Sequence, residues 1–194
     1  MDENTHAFFR RTALPGPVPY GTRVRLTDPM AQDPDPLPVG SEGTVTGGNG
    51  SQLWMKWDNG RSLMLLVGKD PYEVIGADAG EFASLLRENN PELQDLDLSL
   101  KPAGHVVLNL IRVHRHYRNN GIAERVMRLI TDWADFHGLV LAATASPVVS
   151  ERHQTKVTRL KHWLGRHGFR LNQGRRHDAE IVERYYRTPR RERS

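Results

Sequence analysis

The hydrophobic period of this 194-residue chain changes once, near Gly76-Ala77-Asp78-Ala79-Gly80, and that change constrains the fold more than any other feature. Before it, short alternating runs are cut by turn residues: Arg23-Val24-Arg25-Leu26, Gly43-Thr44-Val45-Thr46, Leu53-Trp54-Met55-Lys56-Trp57, Ser62 to Val67, and Tyr72-Glu73-Val74-Ile75. Gly47-Gly48-Asn49-Gly50 and Asp58-Asn59-Gly60 supply the positive φ angles of tight hairpins. Five short strands in so little chain protect their edges by curling into a small barrel, so an all-β barrel is expected over residues 20–76. Leu14-Pro15-Gly16-Pro17-Val18-Pro19 neither continues a helix nor pairs as a central strand, so residues 1–19 read as a tail. Trp54 and Trp57 fall on opposite faces of their strand, which leaves core space for at most one of them.

After a 77–80 linker the period lengthens. Phe82, Leu85 and Leu86 share one face of a short helix that stops near Asn89-Asn90-Pro91. Leu96, Leu98 and Leu100 alternate as a strand, and His105 to Val113 is apolar enough to be a central one. Ile122, Val126, Leu129, Ile130 and Trp133 then define the best amphipathic helix in the chain, with Gly138 as its stop. The apolar strand Leu139 to Ala143 follows, and a strand, helix, strand crossover predicts that the two strands are parallel. A second helix carrying Val157, Leu160, Trp163 and Leu164 ends at Gly168, and Phe169–Leu171 with Ile181–Tyr186 closes an antiparallel pair. The expected class is α+β, a mixed sheet flanked by helices over 81–188, with residues 189–194 a basic tail.

Charge divides the chain in nearly the same place. Residues 1–100 hold 8 Lys and Arg against 15 Asp and Glu, and residues 101–194 hold 19 against 8. A basic half implies an anionic partner: a phosphorylated cofactor, a nucleic acid, or the acidic half itself. Cysteine is absent, which removes disulfides, thiolate zinc sites and a cysteine nucleophile. No apolar run approaches the roughly 18 residues of a membrane span, and the polar start Met1-Asp2-Glu3-Asn4 does not read as a secretory signal, so a cytoplasmic protein is expected. His162 and His167 are five apart without a carboxylate to complete a zinc spacing, and no metal is expected.

The chemistry concentrates between the central strand and the best helix, in His114-Arg115-His116-Tyr117-Arg118-Asn119-Asn120-Gly121-Ile122-Ala123. Small residues there let a ligand approach the backbone, and the helix start offers unpaired N–H groups and the positive end of its dipole. A pyrophosphate is the anion best matched to several amides in a row. The alternative is a capped helix start with solvated arginines.

Leu108-Asn109-Leu110-Ile111-Arg112-Val113, then Arg118 to Ala123, then the amphipathic helix, the apolar strand and the helix ending Arg166-His167-Gly168-Phe169, resemble the acetyl-CoA core of the GNAT N-acetyltransferase family, over roughly residues 80–188. Asn172-Gln173-Gly174-Arg175-Arg176 with Tyr186-Arg187 resembles a short subgroup common in bacteriophage genomes. The resemblance implies a GNAT-like sheet and a cofactor site in which the backbone of Ile111, Arg112 and Val113 pairs with the pantetheine arm. Main-chain N–H groups of Arg118, Asn119, Asn120, Gly121, Ile122 and Ala123 hold the pyrophosphate of acetyl-CoA in that scheme. It further implies direct transfer of the acetyl group to a primary amine of a protein, a small molecule or an aminoacyl-tRNA.

Two departures stand out. Where the family places a tyrosine five residues before the Phe of the Gly-Phe pair, to protonate the CoA thiolate, this chain has Leu164; Tyr185 and Tyr186 are the alternative acids, and Trp163 reads as core. The usual strand carboxylate is missing, which leaves Asn109 and the histidines at 105, 114 and 116 as the nearest polar groups, with His114 or His116 acting as base through water. The segment is also short for the fold, so the acceptor groove is open, or is built by the barrel or by a second subunit of a homodimer.

Gly21 to Leu26, Gly43-Thr44-Val45 and Trp57-Asp58-Asn59-Gly60-Arg61-Ser62-Leu63 resemble an uncharacterised domain family of phage and plasmid proteins. Arg152, Lys156, Arg159, Lys161, Arg166, Arg170, Arg175 and Arg176, with Trp163 and Phe169 among them, suit RNA or tRNA. The phosphates of CoA, or solubility alone, explain part of that set equally well. A rival to the enzyme is therefore a GNAT-like binding protein of phage origin that docks a host protein or nucleic acid, and Leu164 favours it.

Overall fold

A computed structural model describes residues 18–31, 33–144 and 153–190. Most of the expected tails, with Arg152 and the side chains of Lys156, Val157 and Arg176, lie outside the described residues. The protein is a mixed α+β chain with two five-stranded sheets, and it divides into two compact units, Met1–Pro91 and Glu92–Ser194.

The first unit contains β1 (Thr22–Leu26), β2 (Glu42–Asn49), β3 (Gln52–Trp57), β4 (Leu65–Leu66), β5 (Tyr72–Ala77) and helix α1 (Ala79–Asn89). Its sheet is antiparallel, in the order β4-β3-β2-β1-β5. The β2–β3 hairpin turns where Asn49 Oδ1 accepts from the backbone N–H groups of Ser51 and Gln52. Val24, Leu26, Val45, Leu53, Trp57 and Leu65 form the core, each worth roughly 1.5–3 kcal/mol when fully buried. Trp57 is the core tryptophan, and its indole N–H donates to the Leu63 carbonyl at 2.6 Å. Trp54 faces the other way, its ring lying where a Cβ on Gly47 would sit, so residue 47 must be glycine at the β2 bulge.

The expected barrel is not formed among the described residues. β4 and β5 are the two edges of the sheet and do not pair with each other. The physical reason lies in β4, which shrinks to two residues. Leu63 lends its carbonyl to Trp57, and the Leu66 N–H donates to Asp70 Oδ2 at 2.6 Å. Backbone groups spent on side chains cannot extend a ladder.

The joint between units also differs from the sequence expectation, which places it at 77–80. Helix α1 belongs to the first unit. Asp78 caps it by accepting from the Glu81 N–H at 2.9 Å, and the Asp78 N–H donates to the Gly21 carbonyl at 2.6 Å. Gly21, at φ 70°, lies so close to Phe82 that a Cβ would come within 2.6 Å of the Phe82 Cβ. The helix start is thus bolted to the start of β1.

The second unit contains β6 (Leu93–Leu100), β7 (His105–Val113), α2 (Ile122–Phe136), β8 (Val140–Ala143), α3 (His153–Arg166), β9 (Arg170–Leu171) and β10 (Tyr185–Arg187). The sheet order is β6-β7-β8-β10-β9; the β7–β8 pair is parallel, as the crossover requires, and the others are antiparallel. Ile122, Val126, Met127, Leu129, Ile130 and Trp133 make the buried stripe of α2, and Gly138 ends it at φ 64°. The closing strand is shorter than expected, since residues 181–184 form no strand. β10 is tied to α2 by Arg187, which donates from Nη1 and Nη2 to the two Asp135 oxygens at 2.7 and 2.5 Å.

Candidate functional site

β7 has two partners over its first half and one over its second. It pairs with β6 as far as Val113, but its parallel ladder with β8 ends at Leu108 opposite Ala143. At that point the β6 register shifts: Leu98 faces Leu108 and Asp97 faces Leu110, which leaves Asn109 as an extra residue on β7. A bulge bends its strand and increases the local twist, so β7 diverges from β8 where the ladder stops. Backbone groups over 109–113 thereby lose a neighbouring strand on the β8 side among the described residues.

A cavity of about 440 Å³ opens in this divergence. Residues 108–113 form one wall, Ala143 and Thr144 the second, and Leu160, Trp163 and Leu164 of α3 the third, with Arg118 and Ala123 at the helix end. Arg118 Nε donates to the Val113 carbonyl at 3.2 Å, which folds the guanidinium back over the end of β7. Arg112 pairs with Asp95 at 3.1 Å.

Between β7 and α2 the chain makes a single 3-10 turn, Arg115–Tyr117, and then takes two left-handed residues, Asn119 at φ 67° and Gly121 at φ 75°. Gly121 is the N-cap of α2 and adds no side-chain cap, so the first-turn amides keep their outward direction. A Cβ on Gly121 would meet nothing within 4 Å. Open space over bare amides at the positive end of a 15-residue helix is the electrostatic setting an anion needs.

Glu124, in the first turn of α2, could spoil that setting, but its charge is turned away and paired. Its Oε2 accepts from Trp163 Nε1 at 3.0 Å and lies 3.7 Å from Arg166 Nη2, and its Oε1 lies 3.2 Å from His167 Nε2, off the line of a good hydrogen bond. Desolvation pushes the carboxyl up, but His167, Trp163 and Arg166 together outweigh it and hold the pKa below its ordinary value. The same contacts fix the Trp163 indole against the cavity.

The expected residues divide into three groups. Asn109, Ile111, Arg112, Val113, Arg118 and Ala123 come together around the cavity. Asn119, Asn120 and Gly121 form the exposed turn beside it, while Ile122 is buried as the first core residue of α2. Two catalytic candidates stand apart. His114 is exposed at the start of the 3-10 turn and does not line the cavity. Tyr186 pairs with Ala142 and packs with Val107 and Ile181, while Leu108 and Ala143 of the cavity wall are the next residues along their strands; strand alternation therefore puts Tyr186 on the opposite face. Asn109 Nδ2 donates to Ser99 Oγ at 3.0 Å. Trp163, read as core, is half-buried and lines the cavity. Its pairing with Glu124 spans 39 positions and has no local sequence signal.

Comparison with known proteins adds one finding. The family described as a domain of unknown function, DUF4314, matches residues 13–75, entirely within the first unit. No curated protein and no solved structure matches the chain. Among the described residues no helix is long and apolar enough to cross a membrane.

Proposed function

We propose that the second unit is a GNAT-like, acetyl-CoA-dependent N-acetyltransferase, acting on a primary amine of a protein, a small molecule or an aminoacyl-tRNA. The observation that carries this reading is the divergence of β7 from β8 at the Asn109 bulge. A narrow, amide-bearing arm needs such a half-open strand edge, with donors and acceptors in strand order and an apolar wall behind. The cavity supplies both, and Arg112, Arg118 and the Gly121 turn add what a pyrophosphate needs at one end. The residues present therefore fit the cofactor.

When bound, acetyl-CoA supplies the thioester that an amine attacks, forming the C–N bond as the C–S bond breaks. The chain's own tasks are to hold the arm along 109–113, to seat the phosphates on the amides of 119–123, and to exclude water with Leu160, Trp163 and Leu164. The ammonium proton leaves to solvent before attack. Such a protein works where acetyl-CoA is available, in the cytoplasm of a bacterial or phage-infected cell.

A second reading has its own observation. Leu164, 2% exposed, occupies the expected acid position, and no described residue lining the cavity is an acid or base near neutral pH. That favours a protein that binds CoA and docks a partner without turnover. Calorimetry with acetyl-CoA, followed by thiol release with a panel of amines, separates the two. Heat with thiol release supports the transferase, heat without it the binder, and no heat removes both.

A further inference from the structure

His167, the first residue after α3, is a buried titratable group that the proposed acetyl transfer does not use. Its side chain is 6% exposed, and among the described residues its Nε2 has no hydrogen-bond partner. Glu124 Oε1 lies 3.2 Å from that nitrogen, and the centre of the Trp163 ring system lies 5.3 Å from the centre of the imidazole, edge to face at 70°. The three side chains form a triangle: the indole N–H donates to one carboxylate oxygen, and the imidazole faces the other. The remaining charges nearby are exposed or engaged elsewhere. Arg166 lies 3.7 Å from Glu124 but its side chain is 62% exposed. Arg187, whose Nε is 3.5 Å from where a Gly168 Cβ would stand, is paired with Asp135, and Arg170 lies over the Tyr186 ring.

A buried nitrogen without a partner is costly, and histidine is the side chain that changes charge near neutral pH. The partner within reach is Glu124, which stands in the first turn of α2 beside the amides offered to an anion. With His167 neutral, the carboxylate is offset only by the exposed Arg166, and it opposes an anion at those amides. With His167 protonated, a shielded cation offsets the carboxylate and the opposition falls. We propose that His167 is a positioning residue for the β7 cavity: its protonation pairs it with Glu124, which fixes the Trp163 indole in the wall and strengthens the hold on phosphate at the start of α2. The phosphate part rests on the acetyl-CoA reading; the coupling of His167 to Trp163 does not.

The test uses the full chain and acetyl-CoA, titrated by calorimetry from about pH 5.5 to about pH 8. The native chain is expected to lose about three- to tenfold more affinity across that range than His167→Gln, which keeps an N–H for Glu124 but carries no charge. Glu124→Gln is expected to show the same reduced pH dependence, near the native value at the acid end. The exposed His114 and His116 and the cofactor phosphates titrate in every variant, so only the excess loss of the native chain counts. Melting curves confirm that each variant folds. Without ligand, the indole emission of the native chain should change over the same range, and His167→Gln and Trp163→Phe should lack that change. His137, beside Trp133, titrates in all of these chains but lower, at about 4. Affinity or emission that follows pH equally in the native chain and His167→Gln overturns the proposal. Absence of acetyl-CoA heat at every pH removes the phosphate part together with the cofactor reading, and the emission still decides whether His167 acts on Trp163.

Discussion

Leu108 and Ala143 are the last partners of the parallel β7–β8 ladder, and β7 runs on to Val113 without β8 beside it. An ordinary crossover unit would carry the ladder on and leave no cleft. The extra residue at Asn109 turns the end of a packed sheet into one side of a binding cavity.

The left-handed Gly121 is the first place to test. Gly121→Ala forces a side chain into φ 75°, at a cost of about 1 kcal/mol. For a unit of this size that lowers the melting temperature by about 4–8 °C. Gly121→Glu adds a negative charge where an anion is expected, so titration heat with acetyl-CoA disappears while the melting transition survives. Undiminished heat in that variant removes the turn from the account.

Trp163 is a built-in reporter. It lines the cavity, whereas Trp57 and Trp133 are core residues and Trp54 lies over Gly47. Acetyl-CoA should change the indole emission of the native chain and leave Trp163→Phe silent. Glu124→Leu, which frees the indole, should weaken binding about three- to tenfold, the worth of one hydrogen bond. Glu124→Gln keeps an acceptor for the indole and should stay near the native value.

Leu164→Tyr places a hydroxyl in the cavity wall. Overpacking a site that is 2% exposed costs about 1–3 kcal/mol. If protonation of the departing thiolate limits turnover, thiol release should rise by roughly tenfold at saturating amine, a modest share of what general acids contribute. An unchanged rate with intact binding means that solvent already supplies the proton.

The Arg187–Asp135 pair holds the closing strand. The Arg187 side chain is 4% exposed and Asp135 also accepts from the Arg190 N–H at 2.7 Å, so Arg187→Ala leaves a shielded carboxylate uncompensated. The expected loss is about 3–5 kcal/mol, measured by denaturant unfolding. Asp135→Leu combined with Arg187→Met should recover much of it; no recovery would mean that the pair acts through the Arg190 contact.

His137 gives the second unit an acid-sensitive end. Packed beside Trp133 and Phe136, its imidazole is pushed down by burial to about 4 from 6.5. The unfolded chain therefore binds the proton first. The contribution is complete above 6.5, falls as pH drops towards 4, and levels off below that. Because part of the ring reaches solvent, the loss is on the order of 1–2 kcal/mol. Nearby Asp132, raised by desolvation and by Asp135, has the opposite sign and gains as pH falls. Comparing His137→Gln with the native chain isolates the imidazole, and a stability curve equally steep in both would refute its role.

Much of the fold could be read along the chain, because it depends on local periods. A nearly continuous apolar run marked β7 over His105–Val113, the spacing of Ile122, Val126, Leu129, Ile130 and Trp133 marked α2, and Gly138 marked its end. Parallel pairing of β7 with β8 followed from the handed crossover. Asn119-Asn120-Gly121 read in the sequence as small residues that let a ligand approach the backbone, and the structure adds their left-handed φ angles at Asn119 and Gly121. Charge segregation is likewise a property of composition, independent of folding.

Other features were decided only in three dimensions, since they depend on contacts between residues far apart in the chain. Whether the first sheet closes depends on where Leu63 and Leu66 spend their backbone groups, and they spend them on Trp57 and Asp70. The bulge at Asn109 exists only relative to Asp97 and Leu98 across the ladder. Trp163 turns from a core residue into a cavity wall because Glu124, on another helix, accepts its indole proton. Tyr186, offered as an alternative acid, is removed from the site by strand parity alone. Period and turn chemistry are written residue by residue, but register, closure and cavity arise from pairings between elements, and those are set when the chain packs.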